Sequence, residues 1–488
     1  MSSRREFLKA TAGAAGFIAA RGLAGGDEPA VEVNDVQSQL NATMVRAIQR
    51  PRSLDELQRL IQRAKREDAA VAVCGGRHAM GGQQFLSQSL LIDMTELRDV
   101  IRLDRTKGTV EVGAGIQWPE LIERLNREQA GDEVVWTIRE KQSGVDSVCL
   151  GGSLASNIHG RGLTFAPMVE SIESFVLVDA AGEARTCSRR ENPELFSLAI
   201  GGYGLFGIVA TVTLRLVPRF KVERVVDVIP VRDLLDRVES RIDDGFLFGD
   251  CQYATALDGP AEGHEGVFAC YRPVTTDREI KPEVEMPKAR WAELYRLART
   301  DRKKAFETYA KYYRSTNGQL YWSDRHQLSG NFQSYRDGWD TKTSTDMITE
   351  LYVPPRNFLA FMAAMQRDFV EHQCDLTYGT IRFIEPDRET FLRWATERLV
   401  CVICNLHVQH TPEGEAKAAK DFRRLIDRAS EFGGRYYLTY HRWATRTQVE
   451  ACYPQFVEFL KLKRKYDPGE RFQSNWYRHY RGMFGDRV

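Results

Sequence analysis

Residues 71–84 combine a short apolar run with a glycine-rich loop, VAVCGGRHAMGGQQ, and His78 lies inside that loop. Glycine adopts positive φ readily and lets the backbone come close to a ligand, so the N–H groups of such a loop can hold phosphate oxygens. The next run, SLLIDM at residues 89–94, predicts a strand. A Walker-type phosphate loop needs a following helix and a lysine, so the sequence excludes that kind of site.

Two further glycine-rich segments follow, SVCLGGSLASNIHGRG at residues 147–162 and GYGLFG at residues 202–207. The second matches G-x-G-x-x-G by letter, which is the fingerprint of dinucleotide binding in strand–turn–helix units. Here the preceding residues 194–200 predict a helix and residues 208–216 predict a strand. Because this order is reversed, we reject a Rossmann unit.

Two cysteines and two histidines occur at steps of three in residues 401–410, CVICNLHVQH, which invites a metal-site interpretation. The segment has the alternating pattern of a strand, and in a strand a step of three changes face. Four such side chains cannot converge on one ion without a sharp bend, so we predict no metal. The strand would place Asn405, His407 and Gln409 on one polar face, either as a binding surface for hydroxyl groups with His407 as a base or as a solvated face.

The elements around these motifs alternate between helical and strand patterns. Residues 51–67 place leucine and isoleucine on one helical face behind Ser53, a credible N-cap. Residues 174–179 and 184–187 predict a hairpin, and residues 377–385 predict a strand with Thr380 and Arg382 on one face. This mixture predicts an α+β fold.

The composition of the chain limits its number of domains and the classes of partner to expect. The chain has 488 residues, 43% of them hydrophobic, which is enough for two or three domains. A net charge of +1 gives no electrostatic reason to expect nucleic acid or an anionic membrane as a partner. Nine cysteines are an odd number and cannot all pair, and no stretch after the N-terminal segment predicts a membrane span.

The first 26 residues, MSSRREFLKATAGAAGFIAARGLAGG, join a twin arginine to a short, weakly apolar stretch. This segment resembles a twin-arginine export signal, with cleavage near residues 22–24. The resemblance implies the export machinery as a partner, cofactor loading before export, and a periplasmic or extracellular enzyme.

The three glycine motifs, in this order and spacing, resemble the FAD-binding domain of the vanillyl-alcohol oxidase superfamily, also called the p-cresol methylhydroxylase type. The resemblance covers residues 41–218 and implies that the loop at residues 75–83 holds the FAD pyrophosphate. In many members the residue matching His78 is bonded to the flavin C8-methyl group; alternatively, His78 only hydrogen-bonds FAD. The residues assigned to FAD by this resemblance are Gly75, Gly76, Arg77, His78, Ala79, Gly81, Gly82, Gln83, Gly151, Gly152, Ser153, Ser156, Asn157, His159, Gly160, Gly207, Ile208, Val209 and Asn475.

Residues 219–440 resemble the substrate-binding domain of the sugar-oxidising members: aldonolactone, alditol and decaprenylphosphoryl-ribose oxidases. The resemblance implies a two-part FAD-binding domain with a sheet-based cap, and it places Arg382 near the flavin. Residues 304–336, rich in tyrosine and tryptophan, suit either a substrate pocket or an ordinary interface. Residues 441–488 resemble a closing segment that returns to the flavin. Relatives carry a lysine near the stretch matching residues 438–445, where this chain has LTYHRWAT and no lysine.

From these residues we expect a flavoenzyme that oxidises a C–OH group of an alcohol, sugar or lactone. A base, His159, His407 or His441, would remove the hydroxyl proton while a hydride passes to flavin N5. Dioxygen or another acceptor would then reoxidise the flavin. The alternatives are oxidation of an amine or a phenolic substrate, and a carbohydrate-binding protein without catalysis.

Overall fold

The computed structural model describes residues 30–256, 264–275, 277–329 and 342–488. The predicted export signal lies outside these residues, as does the segment 330–336 of the tyrosine-rich stretch. The helices are α1 Leu54–Arg66, α2 Trp118–Glu128, α3 Leu150–Ser156, α4 Pro193–Ala199, α5 Leu234–Asp243, α6 Lys288–Thr300, α7 Arg302–Ser315, α8 Phe358–Glu371, α9 Pro412–Glu431, α10 Arg446–Cys452, α11 Phe456–Tyr466 and α12 Asn475–Met483.

The strands are numbered in the same way. They are β1 Val31–Val33, β2 Thr43–Val45, β3 Ala47–Gln49, β4 Val71–Cys74, β5 Leu90–Asp93, β6 Val100–Asp104, β7 Thr109–Gly113, β8 Trp136–Ile138, β9 Ile172–Val178, β10 Ala184–Ser188, β11 Ile208–Pro218, β12 Lys221–Pro230, β13 Phe248–Tyr253, β14 Glu265–Pro273, β15 Leu320–Trp322, β16 Ser344–Val353, β17 Leu376–Ile384, β18 Leu399–Gln409 and β19 Arg435–Tyr436.

The first part of the chain forms a small parallel sheet in the order β3-β5-β4. Helix α1 connects β3 to β4 and buries Leu57, Ile61 and Ala64. The predicted N-cap is confirmed, because the Ser53 hydroxyl accepts the N–H of Glu56. The glycine-rich loop leaves the end of β4 and leads to β5, so the predicted strand–loop–strand order is confirmed.

A second sheet has the order β10-β9-β11-β7-β6, with β8 pairing on β11. The predicted hairpin is the antiparallel pair β9–β10, and α4 precedes β11, which confirms that helix comes before strand at residues 202–207. Gly151 and Gly152 lie inside α3, where Leu150 and Leu154 are buried and Gly151 packs against Ala114.

The second domain is built on an eight-stranded sheet in the order β15-β12-β14-β13-β17-β18-β16-β19. One face packs against α8 and α9, which contribute buried phenylalanines such as Phe361 and Phe422. On the other face, α6 and α7 place Leu294 and Tyr309 against Val267 and its neighbours. The α+β class with a sheet-based second domain is confirmed.

The strand predicted at residues 401–410 is β18, and its alternation separates the four proposed metal ligands. Cys401 and His407 lie on the face covered by α6, whereas Cys404 lies on the opposite face with Leu406. This set of side chains therefore does not converge. None of the helices in the described ranges is long and apolar enough to span a bilayer.

The C-terminal segment returns to the first sheet. Phe472 forms a parallel bridge with Val71, and the N–H of Val71 donates to the carbonyl oxygen of Arg471 at 2.7 Å. At the start of α12, the N–H of Trp476 donates to the carbonyl oxygen of Gly82 in the glycine-rich loop. The end of the chain thus fixes the strand and loop that begin the first glycine motif.

Candidate active site

A cleft that is partly open to solvent lies between the glycine-rich loop, α3 and the start of β11. The predicted FAD residues that line it are Gly75, Ala79, Gln83, Gly151, Gly152, Ser156, Gly207, Ile208 and Val209. Residues that the prediction missed include Cys74, Cys149, Ala155, Tyr203, Gly204 and Phe206. All six lie inside the three glycine-rich segments at residues 71–84, 147–162 and 202–207.

The walls of this cleft fit a large cofactor with phosphate groups. A Cβ added at Gly152 would meet nothing closer than Val148 at 4.0 Å, so this glycine leaves open space. Gly204 and Gly207 have φ of 73° and 149°, conformations that other residues rarely adopt. Small residues here let backbone amides approach a bound group closely, as the pyrophosphate of FAD requires.

The first two glycine motifs meet at His78. Its Nε2 atom lies 3.1 Å from the Ser147 hydroxyl, and Gly76 packs so tightly that an added Cβ would be 2.2 Å from the Ser147 carbonyl oxygen. Arg77 has a positive φ of 60° and forms an ion pair with Asp93 at 3.2 Å. His78 is thus held at the junction of both motifs.

Several predicted FAD residues support the surrounding structure. Ser153 accepts the indole N–H of Trp118, and Asn157, with φ of 48°, donates to Asp387 at 2.9 Å. The side chain of Asn475 donates to the Thr43 hydroxyl at 3.2 Å. The glycines of the loop's second half are also tightly packed: Gly81 against the Gln83 side chain and Gly82 against the Arg442 guanidinium.

A buried carboxylate lies at the centre of the second cluster. Glu350, on β16, is 3% exposed, and three side chains form hydrogen bonds with its carboxylate. The Nε2 atom of His159 lies 3.0 Å from one oxygen, which also accepts the Tyr352 hydroxyl at 2.6 Å. The other oxygen accepts the Tyr440 hydroxyl at 2.8 Å. Sequence reasoning did not identify Glu350 or Tyr352, since a single glutamate in an apolar strand carries no pattern.

The neighbours of Glu350 determine the pKa of its carboxyl group. Burial by itself raises the pKa of Glu350, but the charge and hydrogen bonds of His159 and the two tyrosine hydroxyls outweigh it and hold the pKa below its ordinary value. The Nδ1 atom of His159 faces the carbonyl oxygen of Gly160 at 3.2 Å, which can only accept. Both ring nitrogens of His159 thus face oxygen atoms, which hold the ring in place against Glu350.

The cluster lies where the two domains meet. The Tyr437 hydroxyl donates to the Ser156 carbonyl oxygen at 2.5 Å, and the Gln83 amide donates to the Thr439 carbonyl oxygen at 2.7 Å. Ser156 and Gln83 line the glycine-rich cleft, and Tyr440 follows directly in the chain. The half-buried Tyr440 thus connects the cleft to Glu350.

Arg382 is the second predicted catalytic residue at this junction. It lies on β17 opposite Cys401, is 8% exposed, and donates to the Gly160 carbonyl oxygen at 3.4 Å. Its Nε atom has no hydrogen-bond partner among the described residues. One ligand atom each of His159, Glu350 and Cys401 lies within 4.8 Å of the others, but both oxygens of Glu350 are already occupied by donors.

The other two predicted bases lie elsewhere. His407 pairs with Asp346 at 3.3 Å and with Arg299 of α6 at 2.9 Å, four residues along β18 from Ile403, the partner of Glu350. Four residues of strand span roughly 13 Å. His441 is 1% exposed among aromatic rings, and burial together with the Arg423 charge lowers its pKa to about 3. The structure brings together His159 and Arg382 and leaves His407 and His441 apart.

Comparison with known families agrees with both halves of this site. The model described as "FAD binding domain" matches residues 45–188, and the model described as "D-arabinono-1,4-lactone oxidase" matches residues 349–480. Both matches agree with the predicted resemblance to FAD-linked oxidases of the vanillyl-alcohol oxidase superfamily. The first match contains the glycine-rich loop and α3, and the second contains Glu350, Arg382 and Tyr440.

Curated relatives match this chain over part of their length. L-gulonolactone oxidase of Bos taurus is 26% identical over 39% of this chain and 42% of its own length. Cytokinin dehydrogenase 2 of Arabidopsis thaliana is 31% identical over 33% of this chain and 31% of its own length. A putative D-arabinono-1,4-lactone oxidase of Neurospora crassa is 29% identical over 35% and 29%. The chain spans less than half the length of these relatives.

The protonation of Glu350 predicts a pH-dependent stability. Because its folded-state pKa is lowered, the carboxylate stabilises the fold above its unfolded pKa of about 4.3, and this contribution is lost as the pH falls through the folded value. Glu350→Gln should destabilise the protein by about 3 kcal/mol near neutral pH, since an amide NH₂ group would replace a buried carboxylate oxygen that accepts hydrogen bonds. Thermal unfolding midpoints of wild type and variant should converge at acid pH.

The control is Glu194→Gln, which removes an exposed carboxylate paired with Lys465 and should cost less than about 1 kcal/mol. A difference between wild type and Glu350→Gln that stays constant from about pH 7 to about pH 3 would contradict an ionised Glu350.

Proposed function

We propose that the protein is an FAD-dependent oxidoreductase that oxidises a CH–OH group of an alcohol, sugar or sugar lactone. The observation that carries this proposal is the Glu350 carboxylate, held by His159, Tyr352 and Tyr440 beside Arg382 at the edge of the glycine-rich cleft. A family match to a lactone oxidase over Glu350, Tyr352, Arg382 and Tyr440 supports it.

The chain's own residues supply the proton chemistry. Tyr440 is half-buried and donates to Glu350, so its oxygen can take the hydroxyl proton of a substrate while its own proton moves to the carboxylate. His159 and Tyr352 hold the other carboxylate oxygen in place. FAD, when bound, supplies the acceptor for the hydride from the substrate carbon and passes the electrons to dioxygen or another acceptor.

Arg382 has a complementary role in this proposal. Its unpartnered Nε atom, on the same sheet face as Glu350, can donate to the substrate oxygen and favour the developing carbonyl group. Burial strengthens this donor, because little water competes with it.

Tyr440→Phe tests the proton route. We expect kcat to fall by roughly 100-fold on the best alcohol or lactone substrate, the scale of general acid–base catalysis, with FAD content unchanged. Tyr352→Phe is the matched control: it removes a hydroxyl from the same carboxylate, but Tyr352 is fully buried and cannot touch substrate. Equal losses in both variants would assign Tyr440 to positioning Glu350.

A covalent bond between His78 and FAD is part of the proposal. The support is the location of His78, in the glycine-rich loop and beside Ser147 of the second motif. Acid precipitation of the purified protein should leave the yellow colour in the washed pellet, and His78→Ala should release it to the supernatant. Release from the wild type as well would make the cofactor non-covalent.

Oxidation of an amine is the second candidate function, because one relative is a cytokinin dehydrogenase. Anaerobic flavin bleaching with a panel of polyols, sugar lactones, amines and phenols separates the two. Bleaching by amines or phenols alone would contradict the proposed function.

We also propose that residues 3–9, SRREFLK, direct export by the twin-arginine route to the periplasm or beyond. Replacing Arg4 and Arg5 with lysine should keep the FAD-loaded protein in the cytoplasm, as measured by cell fractionation. Unchanged export would contradict the signal.

A further inference from the structure

The face of the eight-stranded sheet that carries Arg382 extends well beyond Glu350. Tyr378 lies on β17, an inner strand of the sheet, yet 38% of the residue is exposed. Helix α6 lies over this part of the sheet, since Arg299 at its end contacts His407. Tyr378 and Arg382 are four residues apart on one strand, so the exposed tyrosine lies on the same sheet face as the proposed catalytic residues.

Two arginines share one tyrosine hydroxyl farther along this face. The Tyr271 hydroxyl accepts from Nη1 of Arg161 at 3.2 Å and from Nε of Arg224 at 3.0 Å. Tyr271 is fully buried, while both arginines keep partial exposure. Arg224 also stacks 4.6 Å over the ring of Tyr321. Two cations are thus held close together within the domain.

Neither cation has a direct counter-charge in the part of the chain that the structure describes. No carboxylate there lies within 4.0 Å of Arg161 or Arg224, whereas the interior Arg219 forms an ion pair with Asp324 at 3.0 Å. The charge of Asp250 acts on Arg161 from a longer distance. Because charges in a protein interior are normally paired, this pair of guanidinium groups is arranged for an anion.

Unused hydrogen-bonding atoms lie beside the two arginines. His326 is 3% exposed between the rings of Phe248 and Tyr271, and neither of its nitrogens has a partner among the described residues. Burial and the charges of Arg161, Arg224 and Lys141 hold its pKa well below the ordinary value, so it is neutral. The Nε atom of Arg161 is likewise unpartnered. A neutral imidazole and a free guanidinium N–H can complete the coordination of an oxyanion.

We propose that Arg161, Arg224 and His326 form a subsite for a carboxylate or phosphate group on the substrate. This inference rests on the proposed function, because the subsite lies on the same sheet face as the catalytic residues. Tyr271 is on β14, two strands from Arg382 on β17, which is roughly 10 Å at the usual strand spacing. The substrate class is therefore an acidic saccharide longer than one sugar ring, with its charge remote from the oxidised carbon.

The test uses the FAD-loaded full-length protein and three matched disaccharides. Their distal ring is neutral, carries a 6-carboxylate, or carries a 6-phosphate, so the second and third distinguish the two sources of the oxyanion. We expect at least a 10-fold higher kcat/KM for one anionic form than for the neutral form. Arg161→Gln should abolish this preference and leave the neutral substrate within 3-fold of wild type, and Arg161→Lys should restore part of it.

Arg272→Gln is the matched control, since Arg272 follows Tyr271 in β14 but points to the other face and pairs with Glu223. It should leave the preference unchanged. Equal kcat/KM for neutral and anionic forms, or an equal loss on all three in Arg161→Gln, would overturn the subsite.

Calorimetric titration with D-glucuronate and glucose 6-phosphate separates failure of the subsite from failure of the proposed function. Binding of either anion to wild type and Arg272→Gln, with loss in Arg161→Gln or Arg224→Gln, supports the subsite even if no saccharide bleaches the flavin. Bleaching by neutral lactones without anion binding would retain the proposed function and refute the subsite.

Discussion

A buried carboxylate is stable only when charge or hydrogen bonds compensate for its lost hydration, and Glu350 meets this requirement with partners from three parts of the chain. Tyr352 lies on the same strand as Glu350, His159 follows α3 in the first part of the chain, and Tyr440 lies in the segment after β19. The network holds only if both domains keep their relative position. The same contacts that satisfy the carboxylate therefore assemble the proposed site.

The glycine-rich cleft also depends on contacts between distant parts of the chain. Its loop is flanked by β4 and β5 and is bonded at Gly82 by the start of α12, near the end of the chain. The amide of Gln83 then reaches the carbonyl oxygen of Thr439, three residues after Tyr436 of β19. Residues 437–440 thus contact both the cofactor cleft and the carboxylate cluster.

Charge on the cap sheet is distributed unevenly in a way that matters for recognition. Near the cleft, contacts from His159, Tyr352 and Tyr440 surround the Glu350 carboxylate. Farther along the face, Arg161 and Arg224 lack carboxylate partners within 4.0 Å in the described ranges, and His326 is neutral. This asymmetry favours a ligand that presents its reacting hydroxyl at one end and negative charge at the other.

The sequence by itself determined the local features of this protein: the glycine motifs, the order of helix and strand around residues 202–207, and the strand at residues 399–409 that rules out convergence of its cysteines and histidines. These follow from backbone preferences and side-chain periodicity, which act over a few residues. Only the tertiary structure decided which titratable groups meet. His159 and Arg382 come together with Glu350 and Tyr440, while His407 and His441 remain apart, because strand register and domain contact fix distances between residues that are far apart in the sequence, such as His159 and Glu350, which are 191 positions apart.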